Sequence, residues 1–478
     1  MEGRPNILLV VADQLVPFLT GAYGHPVVKT PNLDRLAERG VRFDAAYTPY
    51  PLCAPARAAL MTGRYASELG CYDNAAVLPA DEPTLAHYLT NAGYETVLSG
   101  KMHFIGPDQL HGFRRRLTTD VYPAGLDWVP TQDEQGRFVR GGHARLYTAE
   151  RAGVAPWTKF FSYDEETQFR ALEYLRERSR LQPAEPFFLT VSYHHPHDPF
   201  VVTPELWDLY EGAEIELPEF PADLESTYSA LDRWANEAHE TGAVALDEDD
   251  LYALRRAYYG LVTYVDRKLG ELLAVLEATG QREDTVVVFT SDHGDMLGER
   301  RMVQKRVFYE WSVRVPLVVD VPGGDGGAAV SHAVSLLDLV PTLLDLAGVP
   351  AEERLPAAGA NVFAGEQPVF SEYHVEKVRA PSFMVRDGRW KYVYTHGHDS
   401  RLYDLEADPG EWRDLAPEQP EVVERLRAMI LARFDPDRIA ADGEASVRRR
   451  ELVRRAMERN GTRWDYQPFV DATTQYVR

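Results

Sequence analysis

The chain has two cysteines in 478 residues, Cys53 and Cys71. Two thiols cannot build a disulfide framework, so stability has to come from a packed core. Long apolar runs are also missing. None approaches the ~20 residues that cross a bilayer, and no membrane partner is expected. Cations are in the minority, 51 Lys and Arg against 74 Asp and Glu, for a formal net charge of −23. That balance argues against a nucleic-acid groove and against docking on anionic lipid. An acidic surface aids solubility and also suits a cationic substrate. The opening stretch MEGRPNILLVVADQ has one Arg and a short apolar run that ends in a carboxylate, without a small-residue cleavage site. It reads as a buried first strand and not a signal peptide; without an export signal a reducing, cytoplasmic setting is expected, in which a Cys53–Cys71 bridge is not.

What is present is a globular composition, 45% hydrophobic and 26% charged, on a chain long enough for a large domain with a smaller companion. Short apolar runs stop abruptly at polar residues. Ile7 to Ala12 ends at Asp13-Gln14, and Thr96 to Leu98 leads to Lys101-Met102-His103. Phe187 to Tyr193 ends in His194-His195-Pro196-His197-Asp198, and Thr285 to Thr290 in Ser291-Asp292-His293. Each run has the pattern of a parallel strand buried on both faces. Helical patterns lie between them, at Leu33 to Gly40, Thr84 to Gly93, and Asp249 to Gly280 with its stripe of Leu254, Tyr258, Leu261, Val265, Leu269, Leu272 and Leu276. The fold class is therefore α/β, a mixed and mostly parallel sheet between helices. Beyond residue 365, FMVRDGRWKYVY predicts a hairpin about Asp387-Gly388 and a helix follows from Pro420 to Phe434. We expect a catalytic domain over 1–364, a small α+β domain over 365–438, and an extension over 439–478 too irregular for a core of its own, solvated or docked on another subunit.

Ligands gather outside the carboxyl ends of parallel strands, where the polar clusters fall. Asp13, Asp292 and His293 offer oxygen and nitrogen ligands suited to a divalent cation such as Ca²⁺ or Mn²⁺. Lys101 and His103 are two apart, as are His195 and His197, so on extended chain each pair faces one way. Cys53 lies in PLCAPARAALMTGR at a helix N-terminus, with Pro55 in the first turn and Arg57 one turn on. It could be a small core residue, half of a disulfide, or the precursor of something reactive.

The run Cys53-Ala-Pro-Ala-Arg57, followed by Leu60-Met61-Thr62-Gly63-Arg64, resembles the type I sulfatase signature C-x-P-x-R with its trailing T-G-R. The stretches PNILLVVADQ, GYETVLSGKMH, PHDPF, TSDHGDMLGE and LYDLEADPGE extend the resemblance from Pro5 to about Phe434. AYGHPVVKTPNLDRL, YDNAA, LTTDVYPA and the terminal WDYQPF and QYVR look like the choline sulfatase branch.

The resemblance implies an alkaline phosphatase-like core and a formylglycine made from Cys53 by a maturation enzyme. The metal ligands would be Asp13, the Cys53-derived group, Asp292 and His293, around Ca²⁺ with Mn²⁺ or Mg²⁺ as alternatives. Gln14 stands where many sulfatases carry Asp. Arg57, Lys101 and Lys305 would meet the sulfate, His197 would contact it or protonate the leaving alkoxide, and His103 would act as base. His195, Asn74, Trp128, Glu372 or Glu376, and Asp471 would line the substrate pocket. Lys377 and Arg379 depart from the branch's small neutral residues and, facing the pocket, would disfavour choline. The branch further implies a homo-oligomer, dimer or tetramer, held by the C-terminal extension. The implied reaction is hydrolysis of a sulfate monoester, choline sulfate first. A phosphonate or phosphate ester hydrolase on the same scaffold is the alternative, then a sulfatase for another small alkyl or aryl sulfate. A catalytically silent binding protein is the rival class.

Overall fold

The computed structural model describes residues 4–132, 138–140, 152–239, 246–324 and 326–464. Asp471 and the final Gln475 to Arg478 lie outside the described residues.

The four apolar runs become β1 (Asn6–Asp13), β3 (Glu95–Gly100), β4 (Phe187–Pro196) and β5 (Thr285–Ser291) of a nine-stranded sheet. The order β5, β1, β4, β3 is parallel throughout. Beyond β5 the sheet turns antiparallel through β6 (Leu317–Asp320) to β2 (Val41–Tyr47). Leu8, Val10 and Ala12 of β1 enter one core cluster, and Ile7, Leu9 and Val11 the opposite one. A strand apolar at every position thus fills both faces, each buried aliphatic contributing about 1.5–3 kcal/mol. The expected stripe Leu254 to Leu276 is buried against the first cluster on a 31-residue helix, Glu248–Ala278. Asp247 starts it by accepting a hydrogen bond from the Asp250 N–H.

Register decides where the polar residues meet. Ala12 pairs with Ser291 and with Tyr193, and Gly100 with Ser192, so all four strands end at one level. Asp13, Asp292, Lys101 and the His194 to His197 run therefore share one edge of the sheet.

The C-terminal sheet is antiparallel, β7 (Val369–Tyr373), β8 (Ser382–Asp387), β9 (Trp390–Thr395) and β10 (Ser400–Asp404). The β8–β9 hairpin turns through Gly388 at φ 55°, the left-handed region glycine adopts freely. The helix Pro420–Arg433 covers it with Leu426 and Ile430 against Phe383 and Val385.

The extension departs from expectation. Residues 436–460 form one long helix, Pro436–Asn460, which starts before residue 439 and docks on its own chain. Its buried positions are Pro436, Ile439, Gly443, Ser446, Arg450 and Arg454, so past Ile439 no apolar stripe announces it. At Gly443 a Cβ would come within 2.7 Å of Val375 Cγ2, so the missing side chain permits the close approach.

Candidate active site

Cys53 is the first residue of α1 (Cys53–Thr62), every residue of which is buried. The preceding Leu52 is extended and has no capping side chain, and the cap comes from elsewhere: Asn74 Oδ1 accepts the Ala54 N–H at 3.0 Å. Cys53 Sγ lies 3.1 Å from His293 Nε2 and 3.9 Å from Asp13 Oδ1. One ligand atom from each of Asp13, Cys53, Asp292 and His293 lies within 4.8 Å of the others. Burial, then Asp13, pushes the Cys53 thiol up to about 11, so it is protonated near neutrality and poorly poised as a thiolate nucleophile. Cys53 and Cys71 are both free.

Arg57 ties the cluster together. Its Nε donates to Asp292 Oδ2 at 2.8 Å and Nη2 to Asp13 Oδ2 at 2.9 Å. Nη1 donates to the Lys101 carbonyl at 2.6 Å and to Ser192 Oγ at 2.9 Å. The guanidinium thus clamps two candidate ligands and two strand ends. Lys101 Nζ is ion-paired with Asp13 and sits 4.5 Å from the Tyr122 ring centroid. Burial raises the Asp13 carboxyl, but Lys101, His197 and Arg57 outweigh it and hold it well below the carboxylate range.

His103 does not follow from strand alternation, because β3 ends at Gly100 and His103 itself has φ 58°. Asp120 Oδ2 accepts its N–H at 2.8 Å, and its ring packs on Tyr122 and Trp128 with centroids 5.0 and 5.6 Å away. Neither ring nitrogen has a hydrogen-bond partner among the described residues. Burial, then Lys101, lowers it to about 3, which leaves a neutral imidazole.

The His195 and His197 side chains part company. Between Ala12 and Asp13 the partner on β4 jumps from Tyr193 to Pro196, so the alternation is lost. His195 turns to Asp164, 2.6 Å from Nδ1 to Oδ2, against Phe161. His197 Nε2 instead lies 3.0 Å from Lys305 Nζ, and its Nδ1 2.9 Å from the Asp198 carbonyl. Lys305 also donates to Gln14 Oε1, while Gln14 Nε2 donates to Asp295. Gln14 therefore joins the lysine network.

The two carboxylates expected to line the pocket are engaged. Glu372 accepts the Ser67 N–H at 2.8 Å and meets His374 Nε2 at 2.9 Å. Glu376 pairs with Arg306 at 2.7 Å and accepts the Asn74 N–H at 3.2 Å. Lys377 is buried, and Arg379 pairs with Glu237 at 2.5 Å on the surface. Sequence reasoning missed Tyr122, whose ring meets Trp128 at 4.7 Å and His103, His194 and His197 within 6.4 Å. It also missed Asp120, which accepts the N–H groups of Met102 and His103. Both stand in LTTDVYPA, beyond any strand end that marked the other residues.

Comparison with known proteins agrees with this geometry. The pattern of the sulfatase family matches residues 5–349, and that of the N-sulphoglucosamine sulphohydrolase C-terminal region matches residues 298–434. The chain belongs to the sulfatase family. This sulfatase is 41% identical to the choline-sulfatase of Rhizobium meliloti (strain 1021) over 100% of its own length and 96% of that protein. The phosphonate monoester hydrolase of Agrobacterium radiobacter superimposes on it with a TM-score of 0.73 at 25% identity, covering 90% of this chain and 95% of that one. A 2-O GAG sulfatase does so with a TM-score of 0.70 at 27% identity, covering 89% and 91%. The sulfatase is thus a sulfuric ester hydrolase with an alkaline phosphatase-like core. Members of the family generally use a metal ion and a formylglycine, and here two carboxylates, an imidazole and the cysteine position offer a hard cation a fitting donor set. No helix among the described residues is long and apolar enough to cross a membrane.

Proposed function

We propose that this sulfatase hydrolyses choline sulfate to choline and sulfate, with formylglycine made from Cys53 as nucleophile and one divalent cation, Ca²⁺ before Mn²⁺ or Mg²⁺, as cofactor. The observation that carries the reading is the meeting of the four-residue cluster with the rings of Tyr122, Trp128 and His103 across Lys101. A relative named choline-sulfatase that aligns over the whole chain supports the choice of alcohol.

Asp13, Asp292, His293 and the oxidised Cys53 side chain would hold the cation. Formylglycine in its hydrated form supplies paired hydroxyls, and the cation a Lewis acid. Arg57 orients the two carboxylates, while Lys101 and Lys305 bring positive charge to the sulfate oxygens. His197, whose Nε2 lies 3.0 Å from Lys305 Nζ, would contact the sulfate or, with a proton relayed from Lys305, protonate the leaving alkoxide, a contribution of about 10²–10⁴-fold. His103 is the base, its ring nitrogens uncommitted and its imidazole neutral. The trimethylammonium group would lie on the faces of Trp128 and Tyr122. Asn74 would stand at the ester end. His195, Glu372 and Glu376 would act through Asp164, His374 and Arg306 rather than on the substrate directly. Asp471 would close the pocket from a neighbouring subunit of a dimer or tetramer, and a maturation enzyme would act on the chain in the cytoplasm.

Peptide mass spectrometry at Cys53, joined to kcat/KM on choline sulfate, 4-nitrophenyl sulfate and a phenylphosphonate monoester, tests the reading. Choline sulfate is expected to lead. The structural likeness to a phosphonate monoester hydrolase supports a second reading on the same scaffold. A phosphonate ester turned over faster than every sulfate ester would establish it instead.

A further inference from the structure

A buried ion pair joins Asp73 to Arg450, 377 residues away along the chain. The contact is a two-pronged fork, Nη1 to Oδ1 and Nη2 to Oδ2, each 2.6 Å. Asp73 is fully buried and Arg450 nearly so. On the helix Pro436–Asn460, Ser446 braces the arginine, its Oγ 3.2 Å from Nε. Asp73 in turn shapes a tight turn, with Oδ1 accepting the Ala75 N–H at 2.9 Å and its carbonyl accepting the Ala76 N–H at 3.0 Å. Between these anchors sits Asn74, whose side chain supplies the cap that Leu52 cannot give to the helix beginning at Cys53. The opposite side of Asn74 is held through its N–H by Glu376. Val447 and Trp464, which lie on and just beyond the C-terminal helix, pack with Ala75, Ile105 and Trp128 in one apolar cluster.

We infer that Arg450 is a positioning residue of this sulfatase, holding the Asp73–Ala76 turn from the C-terminal helix of the same chain so that Asn74 caps the helix that presents residue 53. The inference rests on the reading of Cys53 as the nucleophile position. The physical reason is directional. An arginine fork fixes a carboxylate in both position and rotation, and the turn built on that carboxylate then has one orientation. A surface pair in water would exert no such control, but this one is excluded from solvent.

A double-mutant cycle tests it. Arg450→Met removes the fork and keeps the apolar stem, Asn74→Ala removes the cap, and the double variant combines them. Each is assayed on 4-nitrophenyl sulfate and choline sulfate, with rates divided by the formylglycine content found by mass spectrometry. Arg450→Met is expected to lower kcat about tenfold with KM little changed, because a displaced nucleophile loses alignment rather than ground-state binding. With Ala at position 74 the same change should lower kcat less than about twofold, since Arg450 then has no cap to position. Equal losses in both backgrounds, or no loss in the first, would overturn the inference in favour of a purely structural pair. Should Arg450→Met not fold, Arg450→Lys keeps the charge without the fork, and the same cycle built on it supports or overturns the inference by the same criteria. Failure of the nucleophile reading would show separately, as full turnover in Cys53→Ala.

Discussion

The strand ends around Cys53 and the helix Pro436–Asn460 both bury charged side chains, yet they do so by different means. At the strand ends, parallel register delivers Asp13, Lys101 and Asp292 to one edge, and Arg57 closes over them. On the C-terminal helix, Arg450 is buried because a single carboxylate, Asp73, meets it from a distant turn. The first arrangement is carried by backbone pairing along whole strands, so its charges come as a set. The second depends on one contact between surfaces, and its charge stands or falls with its partner.

The largest effect should come from the first region. Cys53→Ala is expected to abolish sulfate ester hydrolysis while leaving the fold, since a buried alanine nearly fills the space. Sulfate release and the thermal unfolding midpoint check both halves, and residual turnover at the wild-type rate would break the contrast at its root. Asp292→Ala is next. It removes a candidate ligand and one partner of the Arg57 guanidinium, so calcium affinity, measured by calorimetry, should be lost together with activity. Breaking a buried pair from one side also destabilises by about 3–5 kcal/mol. Chelation of the wild-type enzyme should remove activity, and added Ca²⁺ should restore it.

A smaller change is expected at the ring wall. Trp128→Ala should raise KM for choline sulfate by about an order of magnitude at most, because a cation over an indole face gains roughly 0.5–2 kcal/mol. Aryl sulfates should be affected less, and an equal change for both would mean that Trp128 only fills space. A last effect is in acid. Burial holds His103, His194 and His239 below their ordinary value of 6.5, with Lys101 reinforcing the first two and Lys377 the third. Below about 6.5 the unfolded chain takes up protons at these rings and the folded one does not. Stability should therefore fall as pH drops from 6.5 towards 4 and be insensitive to these groups above 7. Urea midpoints across that range check the sign, and a midpoint rising on acidification would contradict it.

Much of the fold was legible because its code is local. Ile7 to Ala12 and Thr285 to Thr290 are apolar at every position, which only a strand covered on both faces can use. The stripe from Leu254 to Leu276 recurs at helical spacing and is the face that packs. The helix Pro436–Asn460 was illegible for the converse reason: beyond Pro436 and Ile439 it buries glycine, serine and arginine, and none of these signals an inward face. At the site, Cys53, Asp13, Asp292 and His293 were readable from a signature and from strand ends. Tyr122 and Asp120 were not, because they act from a loop whose path no periodicity marks.

His195 and His197 show where spacing misleads. Two residues apart on a strand they would share a face, but the jump of register beside Asp13 sends one to Asp164 and the other to Lys305. Arg57 adds a similar lesson. Its identity and place one turn beyond Cys53 were evident, whereas its donors proved to face Asp13, Asp292 and the Lys101 carbonyl, partners from three different strand ends.

The sequence by itself determined the α/β class, the helix that presents residue 53 and the ligand types gathered at the strand ends. These follow from hydrophobic periodicity and residue chemistry, which act over a few neighbouring positions. Only the tertiary structure decided that Gln14 pairs with Lys305 and Asp295, that Glu376 pairs with Arg306, and that Arg450 reaches back to the turn carrying Asn74. Each of those outcomes is a pairing of buried polar groups between distant segments. A buried charge or amide must find a partner somewhere, but which partner it finds is set by how the packed elements bring their surfaces together.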